Sequence, residues 1–558
     1  MPFGILEDHK LDCVPGTGLL ATKGSQLVTG DASTLKRGTG RHSHIVLIPQ
    51  PSDDPRDTLN WPRWRKEACF WTLVFMTGLG DTLLFFASPG YFVLAKEFNV
   101  SVNEVASSFS TALAGGSAFM LLQIPISVKY GHRIVYLLSS FLMFVTCVWV
   151  ALSPNLTSIR ASRVFQGFGV AASRSLVAST IEHLFFVHER GSRSSMWIIC
   201  QLISQIIGIL TNGYVIQLLS WRHGFWFANI ACGLCFIGVL LFVPETTYRR
   251  QAWPKQEPAR RNSNDSDETD KIGKKGPRAP PSRSFSALSY LKIYNGTFSD
   301  ESVWKLFLGL FSLILSPVTW FSFVSSSIPS ILFLFVMSCS STIFTVTYGF
   351  TPGQIGLTNV GSIVGIVLAL ITASPLSDWW IVWMARRNRG IYEPEFRLFF
   401  TFSLVVGALS YTGWAIGNDR HMPWIGAVAC FAMTYFAICV AASTRAAYVI
   451  DTHAAHAAHI LALTESATNL ITYGATFFAN GVVLSAGVKR TLLAVAACQA
   501  ACWLACIPVY VCGKRVRSFI ARHPRLFCVG DDLPPSSDSS TRGCRPASLR
   551  ESNSDCKC

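Results

Sequence analysis

Twelve apolar stretches, each long enough to cross a bilayer, are arranged six plus six around one charged, proline-rich segment. So much continuously apolar chain has no place in a water-soluble fold. The stretches run approximately over 68–94, 105–128, 133–152, 159–180, 195–218 and 223–243, then over 317–344, 354–376, 397–416, 423–445, 460–484 and 490–512. About twenty helical residues cross ~30 Å of hydrocarbon. The runs are continuously apolar rather than alternating, which favours helices over a barrel. The expected fold is an all-α integral membrane protein with twelve transmembrane helices in two six-helix bundles.

Composition agrees where the argument needs it. Only 14% of the 558 residues are charged, against about 25% in soluble domains. The net charge of +15 raises the question of a nucleic-acid partner. The basic residues sit in loops and tails beside apolar runs, which is how a membrane protein is oriented, so no nucleic-acid partner is expected. Most of the 17 cysteines lie inside apolar runs, for example Cys147, Cys232 and Cys430. There they act as small hydrophobes and imply no disulfide framework.

Charge also sets the topology. Lys129, Arg133, Arg190, Arg193, Arg386, Arg387 and Arg389 fall in connections on one side, with Arg63, Arg65, Lys66, Lys514, Arg515 and Arg517 on the flanks. The other side holds Lys96, Arg222, Arg420, Lys489 and Arg490. Positive charge stays inside, so both termini are expected in the cytoplasm. Residues 303–316 read either as an interfacial helix feeding span seven or as a further span. A thirteenth span would move the Arg386–Arg389 loop to the outside, so twelve is preferred. The expected organisation is a tail over 1–67, a bundle over 68–245, a disordered linker over 246–302, a bundle over 303–512 and a tail over 513–558. The linker carries a mixed charge run over 262–275 and then Pro277-Arg278-Ala279-Pro280-Pro281, a composition that cannot bury a core.

A few polar residues interrupt the spans. A charge at a helix centre costs at least ~2.5 kcal/mol and is expected to face a cavity or a partner. Asp81, in span one, is the first candidate for a proton carrier, because a lone carboxylate in low dielectric can bind and release a proton near neutrality. Its other reading is a fixed counter-ion to Arg163 or Arg174. Those two arginines lie eleven residues apart on span four, about three turns, and point roughly the same way. The planar donors of Arg174 suit a carboxylate. That carboxylate belongs either to an acidic substrate or to Glu182 or another acid that ties helices together. Glu465 in span eleven is a second proton candidate. Asn212, Asn469 and Tyr473 read as cavity wall or, like Asn229 and Asn480, as links between helices.

His453, His456 and His459 recur every three residues after Asp451. The remaining histidines are too scattered to complete a di-iron set, so no metal is expected and pH sensing is the reading left. Asn99-Val100-Ser101 is a glycosylation sequon so close to the membrane that its use is not expected.

Longer motifs carry a resemblance. Before span one stands Asp54-Pro55-Arg56-Asp57-Thr58-Leu59-Asn60-Trp61-Pro62-Arg63-Trp64-Arg65-Lys66. Between spans two and three stands Lys129-Tyr130-Gly131-His132-Arg133, and on span four Arg163-Val164-Phe165-Gln166-Gly167-Phe168-Gly169. His188-Glu189-Arg190-Gly191, Pro244-Glu245-Thr246-Thr247-Tyr248-Arg249-Arg250, Asp378, the run from Arg386 to Glu395 and Gly513-Lys514-Arg515 follow in order. Over about 53–525 the chain resembles fungal major facilitator superfamily transporters of the twelve-span drug:proton antiporter type. The resemblance implies a monomeric carrier of a small molecule, set in a lipid bilayer and driven by protons rather than by a cofactor. It implies no enzymatic activity. A G-x-x-x-x-G-K-[ST] loop is missing, so ATP drive is not expected.

By the same resemblance Arg163 takes part in proton coupling. Lys129, Gly131, Arg133, Asp378, Arg386 and Arg387 belong to the cytoplasmic gate. The usual acid of the loop after span two falls on Val128, so that half of the latch is missing or supplied elsewhere. At position 174 related transporters often carry Glu. The expected function is proton-coupled export of a small amphipathic compound, a fungal secondary metabolite or xenobiotic, and an acidic one if Arg174 faces it. Nutrient uptake and a transport-inactive receptor are the alternatives. The plasma membrane is the expected location, with a vacuolar or vesicular membrane as the other choice.

Overall fold

Hydrophobic runs joined by tight, capped turns produce an up-and-down array of helices. The computed structural model describes residues 4–6, 17–19, 57–247, 292, 296–298, 302–388, 391–453 and 457–523, without the side chains of residues 18–19, 187–188, 191–192, 373–374, 378 and 458. The first half comprises α1 (Arg63–Phe85), α2 (Tyr91–Phe98), α3 (Val102–Tyr130), α4 (His132–Leu152), α5 (Leu156–Leu184), α6 (Val187–Leu218) and α7 (Trp221–Phe242). A short α8 (Val303–Ser312) leads into the second half. That half comprises α9 (Pro317–Ser322), α10 (Ile328–Tyr348), α11 (Pro352–Thr358), α12 (Val360–Arg387), α13 (Ser403–Asp419), α14 (Trp424–Thr452), α15 (Ala457–Thr476), α16 (Ala479–Ala486) and α17 (Val488–Arg522).

These helices make twelve traverses. Ten helical segments among the described residues are long and apolar enough to cross a membrane. The other two traverses are α5 and the α15–α16 pair. They are less apolar because they carry Arg163, Arg174 and Glu465, and they lie inside the molecule, where those charges find partners. The segment 303–316 is not a thirteenth span. Its ten-residue helix ends in a 3-10 turn and an extended Ser316, and α8 packs beside α3, whose Lys129 carbonyl accepts from Phe298 N at 2.8 Å.

The turns follow from local chemistry. The Ser101 hydroxyl accepts from Glu104 N at 3.2 Å to start α3, and Asn155 Oδ1 accepts from Ser158 N at 2.9 Å to start α5. Span one breaks where Ser88-Pro89-Gly90 follows α1, because proline supplies no N–H to continue the ladder. Span seven holds one π-helical turn at Phe323–Ser327. Asn99 caps α2 in a left-handed conformation at the end of the molecule away from the termini. The packing of α3 on α5 is the closest in the first half. A Cβ on Gly115 would collide with the Val164 carbonyl, and one on Gly167 with the Ala112 carbonyl.

Part of the N-terminal tail expected over 1–67 is docked. β1 (Gly18–Leu19) pairs antiparallel with β2 (Ile391–Tyr392). Ile5 is buried among Met384, Ala385 and Phe396, and Leu6 N donates to the Val511 carbonyl at 2.9 Å. The tail therefore lies against the second half although it precedes the first. Nearly all of the 246–302 linker, with its charge and proline runs, and the tail after 523 lie outside the described residues.

Candidate functional site

Four charged side chains meet between the two halves. Asp81 comes from α1, Arg174 from α5, Arg445 from α14 and Glu465 from α15. Arg174 Nε lies 3.2 Å from Asp81 Oδ1, and its Nη2 lies 3.9 Å from Glu465 Oε2. Arg445 Nη2 donates to Glu465 Oε1 at 2.9 Å. The Gln201 amide of α6 donates to Asp81 Oδ2, and Arg174 Nη1 donates to Asn469 Oδ1 at 3.4 Å. The result is a chain of alternating sign, Asp81–Arg174–Glu465–Arg445, whose middle link joins the bundles. Its formal charges sum to zero, which lowers the cost of holding four ions away from water.

The surroundings isolate this chain. Ser117 of α3 donates to the Ser466 carbonyl at 2.6 Å, and the Ser466 hydroxyl returns a bond to the Ser117 carbonyl at 2.9 Å. At the end away from the termini, Gly353 N donates to Gln217 Oε1 and Gly481 N to Asn103 Oδ1, both at 3.1 Å. These contacts seal the bundles together on that side. The cavity beside Arg174, lined by Leu84, Gly116, Met120, Gly167 and Asn469 among others, holds only about 10 Å³. That is about one water's room. Arg174 and Glu465 nevertheless keep 25% and 33% of their side-chain surface exposed.

Residues 70–479 match the family model described as Major Facilitator Superfamily. The chain belongs to the Major Facilitator Superfamily. It is a transporter and not an enzyme. Curated relatives are fungal. Protein HOL1 of Saccharomyces cerevisiae is 24% identical over 92% of this chain and 97% of its own length. Efflux pump radE of Floropilus chiversii is 25% identical over 89% of this chain and 90% of its own. Solved structures agree on the fold. A crystallised POT family transporter superposes with a TM-score of 0.53 at 13% identity, covering 82% of this chain and 97% of that one. The xylose transporter XylE of E. coli gives 0.53 at 15% identity, covering 79% and 97%.

In this facilitator several expected site residues have other neighbours than the sequence reading assigned. Arg163, expected in proton coupling, is fully buried and forms no ion pair among the described residues. Its guanidinium donates to the carbonyls of Leu83 (2.8 Å), Leu84 (2.8 Å) and Phe109 (2.9 Å) and to the Gln166 side chain. Leu83 and Leu84 lie in the last turn of α1, whose carbonyls lose their helical donors where the helix breaks. Asn212, expected on the cavity wall, donates to the Phe86 carbonyl at the same break. Both residues satisfy the broken end of span one. Asp81 takes its counter-ion role with Arg174, not Arg163. Arg174 has Asp81 and Glu465 as its acids, not Glu182. Tyr473 stacks edge-on against Phe477 at 5.1 Å and packs on the first-half core.

The gate is built differently from its motif. Val128 holds the place of the missing acid, and Glu245, at the end of span six, brings its carboxylate to the same turn. Its carboxylate accepts from His132 N at 3.0 Å and Arg133 N at 3.4 Å, the exposed N–H groups that open α4. Arg133 reaches the other way and donates to the Val243 and Leu240 carbonyls at 2.6 and 3.1 Å, which close α7. Gly131 sits between, at φ +90°, with the Glu245 carboxylate where a Cβ would stand.

The second half again sets a carboxylate against a glycine, here with ion pairs. Glu393 meets Lys514 at 2.7 Å and Arg517 at 2.8 Å, and Glu395 meets Arg517 at 2.7 Å and presses on Gly513. Thr17 of the tail donates to Glu393 Oε2 at 2.9 Å. Arg397 pairs with Asp451 at 2.7 Å, and burial pushes the neighbouring Tyr392 phenol up, so it stays a donor to Asp451. Arg386 and Arg387, expected in this gate, form no ion pair with described residues. Lys129 lies over the Tyr130 ring at 5.9 Å. The side chain of Asp378 and all of His456 lie outside the described residues.

Arg445 and Gln201 escaped the sequence reading. Arg445 had the same signal as Arg163, a lone charge in an apolar run, but it stood at the run's edge. Gln201 had none, since an amide inside a helix is ordinary until its neighbour is known.

Proposed function

We propose that this transporter exports a small amphipathic organic compound, a fungal secondary metabolite or xenobiotic, in exchange for protons, by alternating access with the terminal end toward the cytoplasm. One observation carries the proposal: Arg174 is held between Asp81 of one bundle and Glu465 of the other. A carboxylate that takes up a proton gives up most of its hold on the guanidinium. Protonation of Glu465 therefore loosens a link between bundles, while Asp81 still pairs Arg174 and Arg445 is left to the cleft. Two states only a few kcal/mol apart are then shifted by proton occupancy. The curated relatives, an efflux pump among them, support the direction.

The same chain sets the sign of coupling. A neutral or basic substrate that takes the place of protons at Asp81 or Glu465 is exchanged for them. An acidic substrate on Arg174 would instead free those carboxylates to be protonated, and would travel with protons. Export driven by inward protons therefore goes with a substrate that is not acidic. The acidic substrate considered from Arg174 alone is not carried forward, because that residue already has two internal carboxylates.

The test is untargeted mass spectrometry of cells and medium, comparing a deletion strain, its parent and a strain carrying Glu465→Gln. A compound that accumulates in deleted cells and falls in the medium identifies the cargo, and Glu465→Gln should reproduce the change. A medium component left unconsumed would instead assign uptake. No difference in any compound would leave the transport-inactive receptor as the reading.

A further inference from the structure

The end of α12 carries a cluster that the transport site and the gate leave unused. Trp380 stacks on Trp383 at 5.1 Å and on Phe399 at 4.4 Å, and Trp379 lies parallel to Trp383 at 6.5 Å. The Arg387 guanidinium lies over the Trp383 ring at 4.5 Å. Trp379, Val382, Trp383 and Arg386 line an open groove of about 370 Å³. Trp379 is 60% exposed, and Leu376, Phe399 and Phe402 expose apolar surface around it. In a spanning helix such a face meets lipid. Among the described side chains the nearby acids are taken: Glu393 and Glu395 by Lys514 and Arg517, and Asp451 by Arg397. Arg386 and Arg387 are exposed and form no ion pair with described residues.

We infer that this groove binds the head group of an anionic phospholipid in the leaflet on the terminal side. Three observations fit that occupant together. Indole rings favour the depth at which head groups meet acyl chains. Two guanidiniums that no described acid neutralises complement, at that depth, a phosphodiester with an added negative charge. The groove opens to the lipid-facing surface, where acyl chains can lie on Leu376, Phe399 and Phe402. Its neighbours on α12, residues 384 and 385, and Phe396 pack around Ile5 of the tail. A bound lipid therefore sits beside the tail-docked end of the second bundle. The leaflet, but not the site, rests on the orientation proposed above.

Native mass spectrometry of the purified full-length protein tests this, with phosphatidylserine and phosphatidylcholine added separately. One phosphatidylserine should be retained well beyond the phosphatidylcholine level. Each arginine near a charged membrane surface contributes roughly five-fold to binding, so Arg386→Gln with Arg387→Gln should weaken retention about thirty-fold. Arg387→Lys keeps the charge and loses the planar stacking, and should fall between the two. Arg420→Gln, an exposed arginine at the opposite end, should retain the lipid fully. Unfolding curves recorded alongside exclude loss of fold as the cause. Equal retention by the double variant and the parent would overturn the assignment. So would equal binding of the two lipids, or displacement by millimolar inorganic phosphate, which would mark a site for free anion.

Discussion

At the residue scale, the same side-chain type does two unlike jobs on one helix. Arg163 and Arg174 share α5 and a direction, yet Arg163 ends on carbonyls and Arg174 on carboxylates. Arg163→Ala should leave three buried carbonyls short of a donor, at a cost of about 3 kcal/mol or more. Thermal unfolding of the purified variant reads that loss, and Arg163→Lys should recover little, because one ammonium cannot span acceptors that a fork reaches together. A variant that melts with the parent but fails only in transport would return Arg163 to a coupling role. Glu465 behaves differently. Glu465→Gln should leave the melting temperature within a few degrees and cut proton-driven transport more than about ten-fold, while substrate counterflow persists. Transport that keeps its full pH dependence in this variant would remove Glu465 from the coupling path.

At the element scale, broken helices are where the polar chemistry collects. Span one ends its first helix at Phe85, and the carbonyls released there recruit Arg163 and Asn212. Both clamps on the terminal side set a carboxylate against a glycine, Gly131 at the start of α4 and Gly513 within α17. The docked tail adds a further element. Full burial of one Ile side chain stabilises by about 1.5–3 kcal/mol, and the β1–β2 pair and the Thr17 bonds add to it. Removing residues 1–19 should therefore lower the melting temperature of the second bundle by a few degrees, and Ile5→Ala should give a large part of that shift. Protection of 391–397 against hydrogen exchange should fall in the same variants. Unchanged protection there would mean that the tail does not hold this loop.

At the scale of the whole molecule, the bundles share apolar packing, such as Ile206 and Ile209 against the second half, and polar links that lie at defined depths. Gln217–Gly353 and Asn103–Gly481 close the end away from the termini, Ser117–Ser466 and Arg174–Glu465 the middle. Alternating access requires the outer pair to separate once per cycle. Gln217→Cys with Gly353→Cys should form a cross-link under mild oxidant and stop transport, with recovery on reduction. Each single variant controls for oxidation of the native cysteines. Undiminished turnover in the cross-linked protein would show that this contact stays closed throughout the cycle.

Much was legible in the sequence for one physical reason. A bilayer forbids unsatisfied backbone, so twelve apolar runs can only become helices, and a charge inside a run must find a partner. The fold, and the expectation that Asp81, Arg174 and Glu465 face partners or a cavity, follow from that, while the family was legible in the ordered motifs. Partner identity does not, because it depends on which helix faces lie together across hundreds of residues. Only the tertiary structure decided that Arg174 bridges Asp81 and Glu465, that Arg445 completes the chain, that the Glu245 carboxylate lies against the Gly131 turn, and that the N-terminal tail docks on the far bundle.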